Sequence, residues 1–235
     1  MNSTGDYEYP AYDYDFEDYA YDFLAKWDII CAVLSSTIIV IGVLGNLLTV
    51  LVFLTRERRK SNIGIYLSAL AIADILVLTL PAMEFWLILV LHRFIRHSSD
   101  FLCKLLPYVT FVLPCVSAWI LVAVSMDRML RVCAPLKMNV LSKPKHAILV
   151  VAAVTVTVSA IFLPLIPGCV LERFGNISTC HLHKSIITAK ALSDLSMAFL
   201  FAAPFLIMLI NNSIILVKVA GCAERYCGKS RESDT

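Results

Sequence analysis

Five apolar runs, each long enough to cross a bilayer, constrain this chain more than any other feature. They cover residues 29–54, 66–91, 103–126, 147–167 and 191–217. A hydrocarbon core of roughly 30 Å takes about 20 mainly apolar residues in helical form. In lipid the backbone polar groups must be satisfied inside the span, so each run is read as a transmembrane helix. Only 16% of the 235 residues are charged, against roughly 25% in a soluble domain. The spans leave no room for a soluble catalytic domain. The expected fold is an all-α membrane protein with a bundle of five transmembrane helices over residues 26–217. Residues 1–25 form a disordered acidic tail and residues 218–235 a short basic one.

The charges set a direction. Residues 1–25 carry seven of the 18 acidic groups and no Lys or Arg. Alternate connectors then divide the 20 basic residues unequally. Arg56, Arg58, Arg59, Lys60, Arg128, Arg131, Lys137, Lys143, Lys145, Lys218, Arg225, Lys229 and Arg231 fall on one side. Lys26, Arg93, Arg96, Lys104, Arg173, Lys184 and Lys190 fall on the other. The richer side is expected to be cytoplasmic, which places the N-terminus outside and the C-terminus inside. No basic region with a short apolar core opens the chain, so the first span is expected to act as its own insertion signal. The glycosylation sequons at Asn2 and Asn176 both fall on the expected outer side. A third, at Asn211, lies within the last span, beyond reach of the transferase, and is taken as chance.

Polar groups within spans are costly and are functional candidates by default. The first span holds Gly45-Asn46, the second Asp74, and the third ends in Asp127-Arg128, with Pro135-Leu136 following at eight residues. Cys103 opens the third span 25 residues before Arg128, and Phe201 precedes Pro204 by three in the fifth. This set, in this order and spacing, resembles the rhodopsin-like (class A) G-protein-coupled receptors. The likeness covers nearly everything after the N-terminal tail and matches the first five of that family's seven helices. It also departs in places. Met129 stands where the family has Tyr after Asp-Arg, Val154 or Thr155 where it has the fourth-helix Trp, and Asn212 where it has a fifth-helix Tyr.

The resemblance implies roles. Cys103 and Cys180 would form the family's disulfide, with Cys169 as a competitor near the same surface. Asp127 would hold Arg128 until activation frees that guanidinium for a heterotrimeric G protein, with Pro135 and Leu136 in the adjoining loop. The bland alternative is an interfacial ion pair that orients the helix. Asp74 and Ser117 match sodium-coordinating positions, with Asn46 hydrogen-bonded nearby; an Asn-Asp-Ser cluster gluing helices together is the other reading. Sodium is the one cofactor in view. Thr110 occupies the place of the carboxylate that amine receptors use, which argues against an amine ligand. Thr110, Phe111, Pro114 and Phe201 would line an apolar ligand cavity, or simply pack as core.

The segment 6–22 interleaves acidic groups with Tyr7, Tyr9, Tyr12, Tyr14, Tyr19 and Tyr21. Tyrosines beside acids in a secreted segment suit sulfation, and receptors for chemokines and other basic peptides carry similar tails. Such a tail would capture a basic peptide by charge. The basic outer loops (Arg93, Arg96, His97, His181, His183, Lys184) could instead hold the tail back on the protein itself. Cys222 and Cys227 suit palmitoylation, or remain reduced cytosolic thiols. His181 and His183 are read as a solvated pair rather than a metal site.

No nucleophile-base pair, phosphate-binding loop or metal-ligand spacing points to an enzyme, and nothing calls for nucleic acid. The leading expectation is a peptide receptor that signals through a G protein in complete form. Five helices alone are not expected to couple, because helix six carries most of the movement. The second is a non-signalling membrane protein that associates with a full-length receptor, through groups such as Asn211 and Asn212, and retains it in the endoplasmic reticulum. A transporter or channel ranks third, lacking a charged path.

Overall fold

The structure, a computed structural model, describes residues 14–53, 61–134, 144–175, 177–182 and 197–233, without the side chains of residues 14–25, 177, 197, 201 and 222–233. Its helices are α1 (Tyr14–Phe53), α2 (Asn62–Thr79), α3 (Pro81–Leu91), α4 (Asp100–Cys133), α5 (Pro144–Phe162), the short α6 (Leu165–Gly168) and α7 (Ala203–Ser233). Five stretches are long and apolar enough to cross a membrane: Lys26–Phe53, Asn62–Leu91, Asp100–Cys133, Pro144–Gly168 and Ala198–Gly221. They answer to the five expected spans, with the third longer at both ends.

Helix ends obey local chemistry. Ser61 and Ser99 cap α2 and α4, their side chains accepting hydrogen bonds from Gly64 N at 3.1 Å and Leu102 N at 3.2 Å. Each satisfies one of the backbone donors that a helix start leaves free. The second span breaks at Leu80, because Pro81 has no N–H to continue the ladder but suits the first turn of a new helix. A π-helical turn, Met197–Ala202, precedes Pro204 in the fifth span. Here the carbonyl of Phe199 accepts from Trp119 Nε1 at 3.1 Å, which ties the irregular turn to α4.

The organising element is α4. Half of its most apolar stretch is buried within the protein, against 6% for α1. It packs against α2, α5 and α7, and Val112, Cys115, Val116, Ile120 and Val124 along it form the core with Tyr66, Ala73, Val158 and Phe162. Phe111 of α4 stacks on Phe162 of α5 with centroids 5.8 Å apart. The outward faces of α1, α5 and α7 carry exposed Ile, Leu and Val, as surfaces solvated by lipid tails should. At Gly42 the first two helices approach closely: an added Cβ would lie 2.6 Å from Leu78 Cδ1. Gly45, the more conspicuous glycine in sequence, has open space around it.

Two features go beyond the expected helices. An antiparallel hairpin, β1 (Cys169–Phe174) and β2 (Ile177–Leu182), extends from the end of the fourth span. Its turn starts with Gly175 at φ +59°, a conformation favourable only to glycine and a few polar residues. In addition, α1 begins at Tyr14, so residues 14–25 are helical where a disordered tail was expected. Extending an existing helix avoids the cost of nucleation, and acidic residues such as Asp15, Glu17 and Asp18 favour a helix N-terminus. Like-charge repulsion argued the other way and was outweighed there. At the far end, α7 carries the expected basic tail as helix to Ser233.

Candidate functional site

Cys103 and Asp127 mark the two ends of the bundle. Twenty-four residues at 1.5 Å each place them about 36 Å apart along α4, a full membrane thickness. At the first end, Cys103 and Cys180 form a disulfide with Cα atoms 5.6 Å apart, closing a separation of 77 residues. It pins the hairpin to α4, and a loop that long makes the link worth roughly 4.5 kcal/mol in chain-entropy terms. Cys169 is a free, buried thiol. Burial pushes it above the ordinary thiol range, while Arg96 nearby pulls it down. His181 faces Glu172 across the hairpin at 3.3 Å.

The same end holds a charge pair that is inconspicuous in sequence. Glu84, in the first turn of α3, is only 3% exposed and accepts a hydrogen bond from Arg96 Nε at 2.8 Å. Arg96 sits on a 3₁₀ turn, Ile95–His97, which packs against α4 and β2. A hydropathy average hides one carboxylate among Leu, Ile and Phe. The signal was nonetheless present, since an ionisable group inside a span is a functional candidate by itself.

Two positions singled out for a ligand cavity are half-buried. Thr110 Oγ1 donates to Leu106 O at 2.8 Å along its own helix, and Phe111 stacks on Phe162. Pro114 lies inside α4, half-buried. Phe201 belongs to the π-helical turn, its side chain outside the described set.

In the middle of the bundle, Asp74 of α2 is half-buried and Ser117 of α4 is buried, its hydroxyl without a hydrogen-bond partner in the described structure. Asn46 does not complete this cluster. Its Nδ2 donates to Gly42 O at 2.9 Å, back along α1. Among the described residues no group of three His, Cys, Asp or Glu could hold a metal.

At the other end the expected pairing changes partner. Asp127, 7% exposed, binds Arg131 through Nε at 2.7 Å and Nη2 at 3.3 Å. Arg128 is exposed instead. The cause is helix geometry: residues four apart share a face, whereas neighbours in sequence point about 100° apart. Beside the pair, Asn62, Tyr66, Met126, Leu130 and His146 line a cavity of about 220 Å³ between α2, α4 and α5. Asn211 also departs from expectation. It is 6% exposed, its Nδ2 buried without a hydrogen-bond partner in the described structure, while Asn212 is exposed. Of these two, only Asn212 is available to a partner.

Several positions lie outside the described residues: Asn2, Tyr7, Tyr9, Tyr12, Pro135, Leu136, Asn176, His183 and Lys184. Tyr14, Tyr19, Tyr21, Cys222 and Cys227 are placed on helical backbone only.

Comparison with known proteins bears on the family of the chain. A family profile described as "7 transmembrane receptor (rhodopsin family)" matches residues 45–234. The cholecystokinin receptor type A of Oryctolagus cuniculus is 30% identical over 86% of this chain and 49% of the receptor. That of Mus musculus is 32% identical over 74% of the chain and 40% of the receptor. G-protein coupled receptor 183 of Bos taurus is 26% identical over 81% of the chain and 53% of its own length. The chain thus spans about half the length of the curated relatives it matches.

Proposed function

The chain belongs to the rhodopsin family of seven-transmembrane receptors, and from that premise we propose that it serves a plasma-membrane receptor for a basic peptide. The disulfide end faces outward and the Asp127 end faces the cytoplasm. The observation that carries this reading is the Cys103–Cys180 link, which fixes a β-hairpin over one end of the bundle and belongs to an oxidising compartment. Relatives named for cholecystokinin, a peptide, favour a peptide over an amine, as does Thr110 where an amine receptor would carry a carboxylate. The acidic, tyrosine-rich segment 6–22 supplies long-range attraction for a cationic partner, and sulfation would strengthen it.

Holding the tail back on the protein is less favoured. Two of the side chains it would use, Arg96 and His181, already face Glu84 and Glu172. On the opposite side the exposed Arg128 is the group presented to a G protein in the complete receptor. Asp74 and Ser117 would supply two of the oxygens for a sodium ion. Glycans at Asn2 and Asn176 and palmitate at Cys222 and Cys227 agree with this orientation. A second reading, association with and retention of a full-length receptor, has the exposed Asn212 and the lipid-facing apolar surfaces in its favour.

Basic-peptide capture is tested by replacing Tyr7, Tyr9, Tyr12, Tyr14, Tyr19 and Tyr21 with Phe in the cell-surface protein. Binding of a labelled arginine-rich peptide should weaken; unchanged affinity rejects the reading.

A further inference from the structure

Glu84 calls for an explanation that the fold alone does not supply. It lies seven residues, about 10 Å, inside the end of α3. A carboxylate at that depth is costly and persists only with a partner. The partner it has is a provisional kind of cation. Arg96 comes from a three-residue turn between helices, is about one-third exposed, and reaches Glu84 through a single hydrogen bond from Nε. A guanidinium can instead engage a carboxylate with two parallel hydrogen bonds, which is the stronger arrangement. Asp127 and Arg131, elsewhere in this chain, make two contacts.

Resting on the reading above, we propose that Glu84 is the recognition site for a guanidinium or ammonium group of the incoming peptide, and that Arg96 is the internal cation it replaces. Exchange satisfies the physics at every stage, because the buried carboxylate passes from one cation to another and is never left unpaired. Arg96 has somewhere to go. Its side chain is the exposed member of the pair, and its turn lies beside the disulfide-anchored hairpin at the mouth of the bundle. The acidic tail would then concentrate a basic peptide, and Glu84 would select one positively charged side chain from it.

The test uses fluorescein-labelled tetra-arginine amide and its uncharged citrulline counterpart, with the full chain in lipid nanodiscs. Arg96→Gln frees the carboxylate and should tighten tetra-arginine binding by about tenfold while leaving the citrulline peptide unchanged. Adding Glu84→Gln should abolish that gain. Unchanged or weaker binding by Arg96→Gln, or a gain that survives the double substitution, overturns the proposal. If Arg96→Gln fails to fold, as judged by loss of the Cys103–Cys180 disulfide, Glu84→Gln decides alone. It should lower the preference for arginine over citrulline by about tenfold, and an unaltered preference overturns the site. Loss of preference in the six-tyrosine variant but not in Glu84→Gln would leave peptide capture standing without this site. No arginine preference in the wild-type chain would reject both.

Discussion

Arg131 donates to Asp127 through Nε at 2.7 Å and Nη2 at 3.3 Å, taking the carboxylate that adjacency in sequence would assign to Arg128. The pairing runs along one face of α4, one turn apart. Removing Arg131 leaves a nearly buried charge without its cation; removing Arg128 leaves nothing buried. Arg131→Gln should therefore destabilise the bundle by about 1–3 kcal/mol, whereas Arg128→Gln should stay within about 0.5 kcal/mol. Thermal unfolding of the two variants in detergent measures the contrast. Equal effects would mean that the carboxylate draws on both arginines.

Cys169 gives a pH-dependent signature outside the membrane spans. Its folded thiol lies above the ordinary value of 9.0, chiefly through burial. The protonated form is thus the one the fold favours. The corresponding stability is fully present below the ordinary thiol range and lost as pH rises through the elevated folded value. Alkylation needs the thiolate, so labelling at pH 8 should lag behind a free cysteine peptide and accelerate as the pH is raised. Because Arg96 opposes the burial effect, Arg96→Gln should slow labelling further. Faster labelling in that variant would show that Arg96 shields the thiol sterically rather than electrostatically.

The glycines of α1 make a third contrast. Gly42 faces Leu78 with an added Cβ at 2.6 Å, and Gly45 faces open space. Gly42→Ile should force the first two helices apart and cost about 1–3 kcal/mol. Gly45→Ala should be neutral or stabilising by up to about 1 kcal/mol, since alanine is the better helix former. Detergent melts compare the two directly; destabilisation by both would place a partner surface at Gly45.

Sequence carried the spans well because lipid enforces length and apolarity, and it carried the Cys103–Cys180 link and the family through motif spacing. It was weaker wherever a side chain's direction decides the outcome. Asp127 next to Arg128 reads as a pair, yet helical rotation gives the carboxylate to Arg131. Asn46 near Asp74 reads as a cluster, yet the amide turns back to Gly42. Asn211 reads as a polar group for association with a full-length receptor but is buried. Glu84 escaped notice because apolar averages dilute a single charge, and its partner Arg96 lies in a loop whose path only tertiary structure fixes.

Peptide capture outside and G-protein contact inside both depend on one orientation of this bundle, and Cys133 reports it. The residue is an exposed free thiol at the Asp127 end of α4. A membrane-impermeant maleimide, applied to cells displaying the protein, should give no labelling attributable to Cys133 until the cells are permeabilised. The attribution is made by subtracting the signal of the Cys133→Ser variant. Labelling of Cys133 on intact cells would invert the bundle and contradict the account.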